Sequence, residues 1–401
     1  MRLRYKAATK EGKIIQGLID AKDVNEAAGY LRNKEFMVIR IDAVTSDSFQ
    51  ALLAKLNKVK SADVVLFTRQ LSSMLESGLT LMRALEIFRD QVQSKAMIEV
   101  VSSLITDVEG GRPLSSALAK FPDVFSPIYI SLVRAGESSG LLDKVLLRLA
   151  DNLEKQQKLK STIKAALMYP MVVVTLMIVV VFVMMIFVIP QLSVLYKNLN
   201  IPLPLPTQII VGMSNFVIIF WPIIIIASVF LFVFLKRWKK TEQGQLILDN
   251  IVLKTPVFGL LIKQTILTEF SRTFGLLVGT GTLVVDALLE TGDTMGNIYY
   301  KNAVKDVSKQ VEKGISVGDA MQANPLFPAM IVQLVKVGEQ TGKVDDNLLK
   351  ASEYYEREVN QTVKTLTTAM EPFIMVILGV GVGFLIISVI TPIYSLISTI
   401  Q

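Results

Sequence analysis

The stretch RAGESSGLLDKVL, Arg134 to Leu146, carries Gly136-Glu137-Ser138-Ser139-Gly140, a match to the G-x-S-x-G turn that presents a nucleophilic serine in many hydrolases. Such a serine needs a base, most often histidine, and this chain contains no histidine. The preceding segment, Ile128–Val133, follows two prolines and reads as helix as readily as the strand that the motif requires. The turn then returns as KVGEQTGKVDDNL, Lys336 to Leu348, 202 residues further on. Between Leu132–Asp143 and Leu334–Asp345, six of twelve positions are identical, and Gln340 stands in the place of Ser138. What repeats is the frame of Gly136, Glu137, Gly140 and Asp143 with Gly338, Glu339, Gly342 and Asp345. The serine does not repeat, so no catalytic residue is assigned.

The repeat extends well beyond the turn. FTRQLSSMLESGLTLMRAL (Phe67–Leu85) aligns without gaps to FSRTFGLLVGTGTLVVDAL (Phe270–Leu288), matching Arg69 with Arg272, Gly78 with Gly281, and Arg83 with Asp286. Gly111 matches Gly314, Ala117 matches Ala320, and Pro170 of MYP matches Pro372 of MEP. Pro190 and Pro392 mark matching far ends. Each copy is expected to be a helical bundle of roughly 100 residues that runs directly into an apolar helix, on a helical reading of the periodicity.

Composition agrees with a membrane protein that carries polar domains. Hydrophobic residues make up 51% of 401, mean hydropathy is +0.49, and 19% are charged. Cysteine and histidine are both absent, which excludes disulfides, thiol catalysis, and zinc or haem sites that depend on those ligands. Met171–Ile189, Phe216–Leu235 and Phe373–Thr391 are uncharged runs of 19 or 20 residues, close to the roughly 20 that a spanning helix requires. Of 42 Lys and Arg, 25 precede the first run and 16 lie between the second and third. Residues 191–215 hold only Lys197, and the tail after Thr391 holds none. The positive-inside rule therefore puts both large polar segments, and the N-terminus, in the cytoplasm and the C-terminus outside. Met1–Lys6 lacks the apolar core of a signal peptide, so cleavage is not expected. Clustered arginines with interleaved aromatics are missing, so nucleic acid is not an expected partner.

The expected fold is mainly α: an integral membrane protein with two homologous cytoplasmic helical bundles, three transmembrane helices and a small N-terminal α+β module. Residues 1–45 read as ββαβ, with a turn at Gly12 and Asp23 capping a helix, and 46–60 as a lysine-rich linker. The first bundle takes 61–167, the first span 168–190, an external loop 191–215, and the second span 216–235. A basic connector takes 236–264, the second bundle 265–370, the third span 371–392 and an external tail 393–401. Within the loop, Ile201–Pro206 (IPLPLP) is expected to be extended, because proline fixes φ.

This layout resembles the polytopic inner-membrane platform proteins of type IV pilus and type II secretion machines, on the paired GESSG and GEQTG turns and the paired MYP and MEP segments. The resemblance covers nearly the whole chain. It implies a non-enzymatic scaffold without cofactors, in the bacterial inner membrane, that couples a cytoplasmic hexameric assembly or retraction ATPase to insertion or extraction of pilin or pseudopilin subunits. Other inner-membrane assembly proteins, further copies of the chain and membrane lipid are the remaining implied partners. Pilus and secretion machines both fit, with the pilus favoured.

The residues bear on rival classes. Gly275–Gly281 is followed by Thr282 where a phosphate-binding lysine would stand, so no Walker A loop is present. A three-span transporter is the alternative class, but the apolar runs carry none of the ionisable groups that line substrate pathways. Gly379 and Gly383 have the spacing for close helix contact, within the chain or between copies, or are incidental. Glu137 and Glu339 fit capping and turn geometry, with Asp143 and Asp345 near a following helix N-terminus. In some secretion relatives this glutamate is implied to hold a cation, together with acidic residues at positions that here are Arg83 and Leu141, and Asp286 and Lys343. No metal site is assigned. Arg83 is expected instead to hold Glu137 bidentately, and the Asp286–Glu339 repulsion to be relieved by Lys343 or another cation.

Overall fold

A computed structural model describes residues 2–8, 14–21, 24–33, 36–43, 58–198, 205–239, 241–256 and 258–400. Gly12, Asp23 and almost all of the 46–60 linker lie outside these residues. The chain divides into two compact units, Met1–Val64 with Leu81–Arg112, and Val65–Thr80 with Pro113–Gln401.

In the first unit, β1 (Arg2–Ala8), β2 (Ile14–Asp20) and β3 (Met37–Ala43) form an antiparallel sheet in the order β2-β1-β3. Tyr5 stands opposite Gly17 on one side and Ile41 on the other. Helix α1 (Val24–Asn33) packs on β3 and buries Leu31. Helix α2 (Ser61–Glu76) belongs to the second unit from Val65 onward; in the first, helices α3 (Leu81–Gln91) and α4 (Lys95–Glu109) pack on each other. Ala84, Leu85 and Phe88 of α3, and Met97, Val100, Val101 and Leu104 of α4, are buried at the three- and four-residue spacing of one helical face.

The second unit contains α5 (Leu114–Leu118), α6 (Pro127–Ser139), α7 (Leu142–Val183), a π-helical turn at Met184–Val188, and α8 (Ile189–Asn198). Next come α9 (Leu205–Trp238), α10 (Glu242–Lys254), α11 (Phe258–Gly279) and α12 (Val284–Thr294). The last four helices are α13 (Ile298–Glu312), α14 (Val317–Gln322), α15 (Ala329–Thr341) and α16 (Val344–Ile400). Repeat-related contacts recur in the core. The rings of Phe67 and Phe125 lie 5.8 Å apart, and those of Phe270 and Phe327 lie 5.5 Å apart. The six described glycines with positive φ form three repeat-related pairs, Gly78/Gly281, Gly111/Gly314 and Gly140/Gly342.

Three helical stretches, Leu142–Gln191, Ile219–Trp238 and Val344–Gly383, are long and apolar enough to cross a membrane. Two of them begin as bundle helices. α7 and α16 run unbroken from the repeated turns through Pro170 and Pro372 into the apolar runs. Proline removes one helical hydrogen bond and kinks the backbone, which a spanning helix tolerates better than a soluble one. Pro190 and Pro392 do not end the helices, which continue to Asn198 and Ile400. The π turn of the first span meets α9, whose buried Ser214 hydroxyl donates to the Met185 carbonyl.

Three local expectations change. Much of the expected external loop 191–215 is helical, in α8 and the start of α9, and Leu205 and Pro206 form the first turn of α9 rather than an extended strand. Residues 201–204 of IPLPLP lie outside the described residues. The segment expected as a basic connector, 236–264, contains α10, anchored where the Asp249 carboxylate accepts from the Ile298 amide at 2.8 Å. A Cβ at Gly379 or Gly383 would meet nothing within 4 Å among the described residues, whereas one at Gly381 would lie 3.9 Å from Met177 Sδ. The approach to a neighbouring span inside the chain therefore falls on Gly381.

Candidate coupling site at the repeated turns

The G-E-x-x-G frame is the end of one helix and the start of another, not a strand-to-helix elbow. Glu137 and Ser138 occupy the last turn of α6, and Gly140 then adopts φ +70°, the left-handed conformation that terminates helices and suits glycine. In the second copy Glu339 ends α15 and Gly342 adopts φ +65°. The leading glycines have a different reason. A Cβ at Gly136 would lie 3.1 Å from Val145 Cβ, and one at Gly338 would lie 2.8 Å from Val344 Cα, so both permit the next helix to cross closely. Ser138 is exposed.

Each glutamate caps a short helix that precedes it by more than twenty residues. Glu137 accepts from the amides of Leu114 and, at 3.0 Å, Ser115, the first residues of α5. Glu339 accepts from the amides of Val317 at 2.6 Å and Gly318 at 2.9 Å, the first residues of α14. A helix N-terminus leaves its first amides unpaired and carries partial positive charge, so a carboxylate with two oxygens satisfies both needs. This corrects the expected electrostatics. Both Glu137 oxygens are engaged by amides, and the exposed Arg83 guanidinium pairs with Glu86 at 2.9 Å. Asp286 is exposed in the first turn of α12, where the helix dipole favours it, and Lys343 is exposed as well. Lys336, not Lys343, makes the local ion pair, to Asp319 at 2.7 Å. Asp143 and Asp345 stand in the first turns of α7 and α16. Among the described residues, no three His, Cys, Asp or Glu side chains gather as a metal site needs.

Arg69 and Arg272 form a second repeat-related pair. The Arg69 guanidinium holds Glu154 bidentately, Nε to Oε1 at 2.6 Å and Nη2 to Oε2 at 2.7 Å, and also reaches Asp151 at 2.5 Å. The bonds to Glu154 and Asp151 raise its pKa. Arg272 Nη2 donates to Glu356 at 2.7 Å, the residue equivalent to Glu154. Arg272 is only 4% exposed, and its Nε and Nη1 have no partner among the described residues. Burial therefore lowers its pKa, against the opposing pull of Glu356, Glu269 and Glu353. The glutamate partners were missed in the sequence, although their 202-residue spacing matches that of the turns.

The two copies are joined by polar contacts. Arg148 Nη1 donates to the Gly279 carbonyl at 2.7 Å, placing a cation at the C-terminus of α11. Ser131 donates to Glu290 at 3.1 Å, and Lys155 pairs with Glu353 at 3.5 Å. Arg148, Asp151, Arg272, Gly275, Asp345 and Asp346 line a cleft of about 220 Å³ between the copies. No nucleophile–base arrangement is present at the turns. The glycines and capping glutamates fix the starts of α7 and α16 against the helices that precede them.

Comparison with known proteins gives matches along the whole chain. The family model described as Type II secretion system (T2SS), protein F, matches residues 67–190 and 270–392. The chain is similar to the type IV pilus assembly protein TapC of Aeromonas hydrophila, at 33% identity over 98% of this chain and 95% of that protein. It is 34% identical to the type IV pilus assembly protein PilC of Thermus thermophilus over 99% of this chain and 98% of that one. The type II secretion system protein F of Xanthomonas campestris pv. campestris is 30% identical over 99% of both.

Proposed function

We propose, from the premise that this chain belongs to the family of type II secretion system (T2SS), protein F, that it is the platform on which a cytoplasmic hexameric ATPase acts to insert or extract pilin subunits. The chain is a structural component of pilus or secretion machinery in the inner membrane. The observation that carries the finer reading is helical continuity: α7 and α16 each begin at a capped, glycine-terminated turn and end in an apolar run. Movement of a bundle must then move a spanning helix. Both repeats face the cytoplasm with the N-terminal α+β module (residues 1–45), and the chain works as a homo-oligomer with other inner-membrane assembly proteins. The names of its relatives support a pilus over a secretion machine.

The test has two parts. Reporter fusions after residues 60 and 300 should read cytoplasmic, and one near Asn200 external; an external reading at 300 removes the two-bundle arrangement. The purified chain in lipid nanodiscs should retain the partner ATPase while hydrolysing no ATP itself. Hydrolysis that survives removal of contaminating ATPases would overturn the scaffold reading.

A further inference from the structure

Helix α10 is amphipathic the wrong way round for water. Its inward face carries Gly244 and Asp249, the latter 8% exposed, while Ile247 is 49% and Ile251 59% exposed. Lys254 continues the outward stripe at helical spacing and is half-buried, and Phe258, the first residue of α11 beyond a 110° bend, is exposed. This orientation is firmly held. Asp249 accepts the Ile298 amide, and the Tyr299 hydroxyl donates to the Leu246 carbonyl at 3.2 Å. At the two ends, a Cβ at Gly244 would collide with the Trp238 carbonyl, and one at Gly259 with that of Leu253. The helix cannot roll to hide its isoleucines without losing these contacts.

Its position says what covers that face. α9 ends at Trp238, and Thr241 caps α10 by accepting from the Gly244 amide at 3.2 Å. Four residue steps separate Trp238 from Glu242, a reach of at most about 14 Å. Helix α10 therefore begins within headgroup range of the apolar run that ends at Leu235. The junction is strongly basic, with Lys236, Arg237, Lys239 and Lys240, and Lys254 lies at the far end of α10. Only Glu242 and the internally paired Asp249 oppose them in that stretch. Basic flanks beside an exposed apolar stripe complement an anionic lipid surface.

We infer that α10 is a monotopic membrane anchor: its Ile247–Ile251 face lies in the headgroup layer of the leaflet from which α9 emerges, and the lysines at its two ends meet anionic lipid. It thereby ties the start of the second repeat to the bilayer surface. The inference rests on the membrane reading above.

The absence of cysteine makes a clean test possible. Single variants Ile247→Cys and Ile251→Cys of the full chain would be labelled with the polarity-sensitive fluorophore NBD and reconstituted into phosphatidylethanolamine–phosphatidylglycerol vesicles. Phe230→Cys within α9 and Asp306→Cys on α13 serve as lipid and water references. NBD at 247 and 251 should be blue-shifted relative to 306, and quenched several-fold more strongly than 306 by lipid carrying a shallow doxyl group. The blue shift should shrink in pure phosphatidylcholine. Iodide quenching at 247 and 251 equal to that at 306, with 230 still in lipid, would overturn the anchor and leave the membrane reading intact. A blue shift without doxyl quenching would mean that protein, such as a second copy of the chain, covers the face, which also overturns it. If 230 itself reads water, the membrane reading fails and the anchor falls with it.

Discussion

The two arginine–glutamate pairs are one interaction placed in two environments, and they should respond to the same deletion very differently. In the second copy, Glu356→Ala leaves the Arg272 guanidinium 4% exposed with its bond to Glu356 gone and two nitrogens, Nε and Nη1, already without a partner among the described residues. Removing one member of a buried pair costs about 3–5 kcal/mol, because the stranded charge is not rehydrated. In the first copy, Glu154→Ala leaves Arg69 bonded to Asp151, and its side chain is 29% exposed to solvent. A pair exposed to that degree is worth about 0–1 kcal/mol. Hydrogen exchange by mass spectrometry on the full chain reads each site locally, which a single melting temperature does not for a multi-unit protein. At about 1.4 kcal/mol per decade, protection in α11 should fall upwards of about 100-fold in Glu356→Ala, and that in α2 by less than about tenfold in Glu154→Ala. Adding Arg272→Met to Glu356→Ala should restore most of the lost protection, since an apolar pair removes the stranded charge. Equal losses at the two sites, or a double variant no better than Glu356→Ala, would refute the burial argument.

Glu137→Ala and Glu339→Ala should each cost about 1–3 kcal/mol by orphaning two part-buried amides, read as faster exchange at Leu114–Ser115 and at Val317–Gly318. Ser138→Ala should change neither stability nor assembly, and a strong defect there would revive the nucleophile. Gly140→Ala and Gly342→Ala should destabilise by about 1–2 kcal/mol through left-handed strain, with Gly→Asn milder at both; a silent Ala would contradict the turn geometry. Hydrogen bonds from Lys305 and Lys301 hold the Asp293 carboxyl below its ordinary pKa. Because the folded value is the depressed one, this stabilisation is present above about pH 4 and is lost as the pH falls through the folded value. Asp293→Asn should therefore flatten the acid limb of the unfolding curve, and an unchanged limb would dismiss the pair.

Much of the architecture could be read from the repeat, because equivalent glycines and prolines at a constant spacing demand equivalent backbone geometry. The duplicated turns and the apolar runs needed no tertiary information. The partners of Glu137 and Glu339 did, since each cap closes a loop of more than twenty residues and nothing local marks Leu114 or Val317 as a donor. Alignment drew attention to Arg83 as a partner for Glu137, whereas the helix N-terminus supplies donors that are already oriented. Helix α10 was hidden for another reason: Asp249 in and Ile247 out reverse the pattern by which water-facing helices are recognised. The prolines misled about helix ends because a neighbouring helix and lipid tolerate a missing amide that solvent-exposed segments rarely keep.

The 57 residues of α16 have a mechanical consequence. At 1.5 Å per residue the helix is a rod of about 85 Å, so a 10° tilt imposed at its capped foot would carry the far end sideways by roughly 15 Å. The partner rod is not equivalent. α7 meets a π turn at Met184–Val188, where the hydrogen-bond ladder shifts register and torsional stiffness drops. Twist applied at Asp345 would thus arrive nearly undiminished at the far side of the bilayer, while twist applied at Asp143 would be partly absorbed at the π turn. Two related handles would then deliver unequal torque, one arm stiff and the other compliant.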